Sequence, residues 1–144
     1  MKNGLTFIVR ERYSLPLVAI GVMIKVGRLD ESDDVLGVAE LTKRMVFRGT
    51  LTRPEDKSVA ASRALGGVLA SETYEDRTFL GATLPAENAW QALEILADVL
   101  QHPIFDAHEL KREIETTLQE ERFRLDQPEA FSLQRALAAA FTEQ

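Results

Sequence analysis

"GVAELTKRMVFRGT", residues 37–50, reads as a short amphipathic helix whose polar face is unusual. Residues at i, i+3 and i+4 share one face of a helix, and here those slots hold Glu40, Lys43 and Arg44. At this spacing two histidines and a glutamate would form a zinc helix, the glutamate acting as base. Two of the three side chains are instead cations, which repel a metal ion. Taken alone, Glu40 and Arg44 are an ordinary ion pair that supports a helix by about 0.2–0.5 kcal/mol. The helix is expected over Val35 to Phe47, with Asp33 or Asp34 of the preceding loop "RLDESDD" as its cap and Gly49 as its stop.

Upstream, "GLTFIVRER" (4–12) and "PLVAIGVMIKVG" (16–27) are rich in Val, Ile and Phe and flank "YSLP". They read as two antiparallel strands, the second apolar enough to be covered on both faces. Downstream, "TRPEDKSVAASRALGG" (52–67) reads as a helix, with Pro54 in its first turn and Gly66-Gly67 at its end. "VLASETY" (68–74) and "RTFLGATL" (77–84) form a hairpin around Glu75-Asp76. Residues 85–101 are periodic, with Ala89, Ala92, Leu93, Leu96, Val99 and Leu100 on one face and Trp90 as partial core. "HPIFD" breaks this helix, a long charged one follows over 107–125, and one more begins at 126. The order is that of an α+β fold, with helices on one face of a mainly antiparallel sheet.

Composition narrows the functions. The 144 residues, 45% of them hydrophobic, suffice for one core. The net charge is −6, and no basic run interleaved with aromatics appears, which argues against nucleic acid. Without cysteine there is no disulfide and no thiolate metal site. The longest apolar run, Leu15 to Ile24, is too short to span a bilayer as a helix, so no membrane partner is expected. No signal peptide is visible at the start; a trimmed one would imply the periplasm, none the cytoplasm. His102 and His108 flank a helix break at a spacing unsuited to a metal, and read as solvated or locally bonded.

The surroundings of residues 37–50 carry a resemblance. Gly37, Ala39, Met45, Phe47, Gly49 and Thr50 match in register the first motif of the insulinase/pitrilysin-like (M16) zinc peptidases, which include mitochondrial processing peptidase. That motif is built on His-x-x-Glu-His. The chain departs from it at the two zinc-binding histidines, here Glu40 and Arg44, and at the catalytic glutamate, here Lys43. Asn3-Gly4-Leu5, Gly27 and Glu31 resemble the family's opening strands and loop. Gly66, Gly67, Thr73, Asp76 and Thr78 match its edge-strand motif, in which the substrate-side Asn-Ala pair reads Ala70-Ser71. Residues 105–130 resemble the helix with the third zinc ligand, which falls on Glu120, and a supporting acid, which falls on Glu113. The likeness covers essentially the whole chain.

The resemblance implies an M16-like fold and makes residues 1–144 the larger part of one N-terminal domain, the remainder and a second domain lying outside. It implies no catalytic residue among the degenerate positions Glu40, Lys43 and Arg44, and no zinc. Arginine has no lone pair to offer a metal, and Lys43 cannot accept a proton while it is an ammonium. The substrate-side positions are Ala70, Ser71 and Thr73. In place of the metal an ion-pair cluster is expected, with Glu120 facing Arg44 and Lys43 and Glu40 nearby; the alternative is that these side chains point into water. The function so implied is that of an inactive homologue, structural and substrate-binding, paired with an active M16 paralogue or a second copy and handling a peptide. The alternative is an active zinc metallopeptidase whose motif lies in another domain or subunit.

Overall fold

The computed structural model describes residues 4–54 and 57–141; Asn3 and the Glu55-Asp56 pair of the expected second helix lie outside them. Eight elements follow in order: β1 (Leu17–Ile24), α1 (Val38–Met45), α2 (Lys57–Ala64), β2 (Val68–Thr73), β3 (Thr78–Pro85), α3 (Ala89–Gln101), α4 (Ala107–Leu125) and α5 (Pro128–Phe141). The sheet is antiparallel, with β3 between β1 and β2.

β3 organises the core because every second side chain enters it. Leu80, Ala82 and Leu84 point toward the helices and are buried. Leu80 meets Val46, Phe47 and Val99, while Ala82 and Leu84 meet Ala92 and Leu96 with Val18 and Ile20 beside them. On the opposite face Phe79 lies against Gly21 and Gly81, where a Cβ would fall within 2.6 Å of its ring. α1, α2 and α3 thus cover one face of the sheet, α4 lies on α1, and α5 on α4. This is the α+β arrangement expected.

Several expectations need correction. Among the described residues, 5–13 form no strand, and their apolar side chains are exposed; alternation alone does not make a strand. Nor is β1 covered on both faces, and its side chains alternate between half-buried and exposed. Trp90 is 77% exposed rather than partial core, and Ile95, outside the expected stripe, is buried.

The start of α1 also differs. Asp33 and Asp34 sit in a separate short turn over Asp33–Val35. The helix begins instead at Gly37, whose φ of 90° is left-handed, a conformation glycine adopts without a steric penalty. Glu31 serves as the cap: its two carboxylate oxygens accept the backbone N–H groups of Gly37 (2.8 Å) and Ala39 (2.7 Å). These hydrogen bonds hold the Glu31 carboxyl below its ordinary pKa. Glu31 is itself placed by the loop, where Arg28 and Leu29 donate backbone N–H groups to Tyr74 and Glu75 of the β2–β3 turn. Gly27 approaches that turn so closely that a Cβ would lie 2.4 Å from the Glu75 carbonyl oxygen.

Candidate functional site

α1 and α4 face each other, and α1 also lies against the edge strand β2. α1 presents Glu40, Lys43, Arg44 and, one turn beyond, Arg48; α4 presents Glu113 and Glu120, seven residues or about two turns apart. Lys43 Nζ donates to Glu40 Oε1 at 2.7 Å, and Arg44 Nε donates to the same oxygen at 3.0 Å. Arg44 then crosses to α4, where its Nη2 donates to Glu120 Oε2 at 2.7 Å and its Nη1 lies 4.0 Å from Glu113 Oε2. Arg48 Nη2 donates to the other Glu113 oxygen. Three carboxylates and three cations therefore balance between the helices.

Glu40 feels two opposed effects. Burial raises its pKa, but the hydrogen bonds and charges of Lys43 and Arg44 outweigh burial and leave it lowered. For Arg44 the Glu120 hydrogen bond comes first, burial opposes it, Glu40 adds to it, and the pKa is raised. Both stay charged at neutral pH. Glu113 is 3% exposed, a place where an unpaired carboxylate would be costly, which explains why two arginines converge on it.

The resemblance brought Glu40, Lys43, Arg44, Glu113 and Glu120 to this place, and the structure joins them. Arg48 was not singled out. Its signal was available: Arg44 and Arg48 are i, i+4 neighbours, and Glu113 sits one heptad before Glu120. Ala70, Ser71 and Thr73 lie on β2, the strand against which α1 packs. Thr73 is buried and its Oγ1 has no hydrogen-bond partner among the described residues.

These side chains do not suit zinc. A tetrahedral site needs imidazole, thiolate or carboxylate donors, and the Arg44 guanidinium fills the space between Glu40 and Glu120 with N–H groups. Among the described residues no group of three His, Cys, Asp or Glu could hold a metal ion.

A second polar centre escaped the sequence altogether. Asp98 of α3 is buried, and its Oδ2 accepts Thr50 Oγ1, Thr52 Oγ1 and Arg53 Nη1, each at 2.6 Å. Burial raises the Asp98 pKa, but these three donors overcome it and bring the value down to about 2. His102 Nδ1 stands 3.4 Å from the other oxygen. Beside it the chain leaving α1 pairs with the chain entering α4: Thr50 bridges Pro103, and Ile104 donates to the Gly49 carbonyl. The two helices of the ion-pair cluster are thereby tied at one end. His108, by contrast, is solvated, its side chain 86% exposed.

The sheet-and-helix frame sets one short and one long helix against each other across a polar seam. Residues 7–144 match the family model of insulinase, peptidase family M16, and the chain belongs to that family. An uncharacterized zinc protease of Rickettsia felis is 30% identical over 144 residues, which are 100% of this chain and 35% of that protein. The mitochondrial-processing peptidase subunit beta of Dictyostelium discoideum is 27% identical over 142 residues, 98% of this chain and 30% of that one. The periplasmic protease PqqL of Escherichia coli superposes with a TM-score of 0.77 at 25% identity, covering 83% of this chain and 14% of its own. The chain thus spans about a third of the length of the curated relatives it matches.

Proposed function

We propose that this chain is the larger part of the first domain of an M16 homologue that has exchanged its metal chemistry for an ion-pair seam, and that it serves as a structural and peptide-binding partner of an active zinc peptidase. The observation that carries the reading is Arg44, which stands between Glu40 at 3.0 Å and Glu120 at 2.7 Å. A permanently charged guanidinium there holds the helices together without a cation, and leaves neither a ligand set nor a base. Among the described residues β2 lies at the sheet edge, where it offers an extended peptide a strand to pair with. Partnership is suggested by relatives named as subunits of the mitochondrial-processing peptidase.

The competing reading is an active zinc peptidase with its motif elsewhere in a longer protein, and it draws on relatives named zinc proteases. Elemental analysis separates the two. The purified protein should carry far less than one zinc per chain, and chelator should leave its Tm unchanged. One zinc per chain, lost together with activity on Glu120→Gln, would end the inactive reading.

A further inference from the structure

Between α1 and the sheet lies a cavity of about 210 Å³. Its floor is buried and is made by Val46 after α1 and by Thr78 and Leu80 of β3. Its rim is exposed and includes Asp30 and Thr42. No residue of β2 lines it, so it is separate from the strand proposed to hold a peptide. The walls are fixed before anything binds. Glu31 holds the backbone of Gly37 and Ala39, and Arg28 and Leu29 are hydrogen-bonded to the β2–β3 turn. A preformed site of this kind loses little freedom on binding. An apolar cavity of about 150 Å³ takes up benzene, so this one has room for such a ring and a short tether.

The polar groups of the lining decide which head group fits. Thr78 Oγ1 donates to the Val26 carbonyl at 2.9 Å, and both Glu31 oxygens accept backbone N–H groups. The Lys43 side chain is only 12% exposed, and its Nζ donates to Glu40 at 2.7 Å. Asp30 differs from all of these. Its Oδ2 accepts the Gly27 N–H at 2.8 Å, while among the described residues nothing donates to its Oδ1. The charged residues of the lining are Asp30, Glu31 and Lys43, a net charge of −1, and Lys43 is already matched by Glu40. We propose that this cavity is a binding site for a small apolar amine, its hydrocarbon body on Val46 and Leu80 and its ammonium at Asp30 Oδ1. A carboxylic acid of the same shape would meet Asp30 and Glu31 as like charges, and an alcohol would lack the ion pair. The inference does not depend on the metal-free or peptide-binding readings and can fail without them.

Methyl NMR titration of the polypeptide expressed from its whole gene tests the site. Phenethylamine is the probe, with phenethyl alcohol and hydrocinnamate as its neutral and anionic counterparts. The amine should bind saturably with a Kd on the order of 1 mM or tighter, and its ring protons should contact the methyls of Val46 and Leu80. The alcohol should bind about fivefold more weakly and the acid more weakly still. Added salt should narrow the gap between amine and alcohol. Asp30→Asn keeps an acceptor for the Gly27 N–H and should close that gap. Ala39→Leu, on the cavity wall, should abolish binding of both compounds. If Ala39→Leu does not fold, the ring contacts in the parent still locate the site. Equal binding of amine and alcohol, a gap that survives Asp30→Asn, or ring contacts elsewhere overturns the proposal. So does the absence of saturable binding, which would mean that further polypeptide closes the cavity.

Discussion

Arg44 and Asp98 solve the same problem at the level of single residues: a charge removed from water must find several partners at once. Arg44→Met would leave Glu40 with Lys43 alone and remove the cation 4.0 Å from Glu113. Because Arg44 is about a quarter exposed and Glu120 more than half, solvent recovers part of the loss, and a cost of about 1–2 kcal/mol is expected. Glu120→Gln should cost less, about 0–1 kcal/mol, since that carboxylate is already mostly hydrated. Urea denaturation of the two variants compares them, and equal losses would show that Arg44 is not the hub. Asp98→Asn weakens three hydrogen bonds to a buried carboxylate and should cost about 1–3 kcal/mol. The pH dependence follows from the direction of the shift. Asp98 falls from an ordinary 3.8 to about 2 on folding, so its contribution is complete above about pH 4 and drains away as the pH falls toward 2. Acid titration of Asp98→Asn should therefore show a shallower loss over that interval than the parent; identical curves would mean that Asp98 titrates alike in both states.

The elements show where sequence reading succeeds. α4 was legible to within a residue because a long charged run follows the break at "HPIFD"; the structure adds Asp106 as its N-cap, accepting the N–H groups of His108 and Glu109. The β2–β3 hairpin was equally clear from two β-rich runs around a polar turn. The start of α1 was not, because its cap comes from Glu31, six and eight residues before the N–H groups it accepts, a distance at which no local cap motif operates. Gly37 isolates that feature: a Cβ there meets nothing within 4 Å, so Gly37→Ala tests only the left-handed backbone. A loss of about 1 kcal/mol is expected by thermal unfolding, and none would show that the α1 start relaxes freely. The Asp98 centre was illegible for a different reason. Its partners lie 45 to 48 residues away in a loop, and three common polar residues carry no pattern until the fold assembles them. The degenerate zinc positions were readable only because six neighbours held the register of a known motif. On their own Glu40, Lys43 and Arg44 are an ordinary helix face. The same register yields a gain-of-function test. With α1 and α4 already tied by the Thr50–Pro103 bridge, Glu40→His, Lys43→Glu and Arg44→His introduced together should create zinc affinity, Glu120 supplying the third ligand. Isothermal titration with zinc measures it, and a folded triple variant that binds none would misplace Glu120.

For the whole molecule, the question raised by the proposed function is what use a scaffold of this family has when Glu40, Arg44 and Glu120 are joined as ion pairs. Among the described residues the three carboxylates and three cations of the seam balance, Arg44 ties α1 to α4, and β2 lies at the sheet edge. Such a scaffold can still bind, to a peptide along β2 or to a homologue that keeps the chemistry. Its contribution to cleavage would then be concave surface and substrate retention, which raise the yield of a partner's site by effective concentration rather than by new bond-making groups. The whole-gene protein, co-expressed with its nearest paralogue carrying intact His-x-x-Glu-His, should co-elute with it on size exclusion. The pair should cleave peptides faster than the paralogue alone, through a lower KM and not a higher kcat. Substitutions on α1 and α4 should act on this complex only as far as they loosen the fold. Restoring stability elsewhere in an Arg44→Met background should bring the cleavage back, whereas charge placed on the exposed face of β2, as in Ala70→Asp, should raise KM with Tm unchanged. Separate elution with no gain in cleavage would remove the partnership. A fall in kcat on Lys43→Met with stability retained would mean that this seam takes part in chemistry after all.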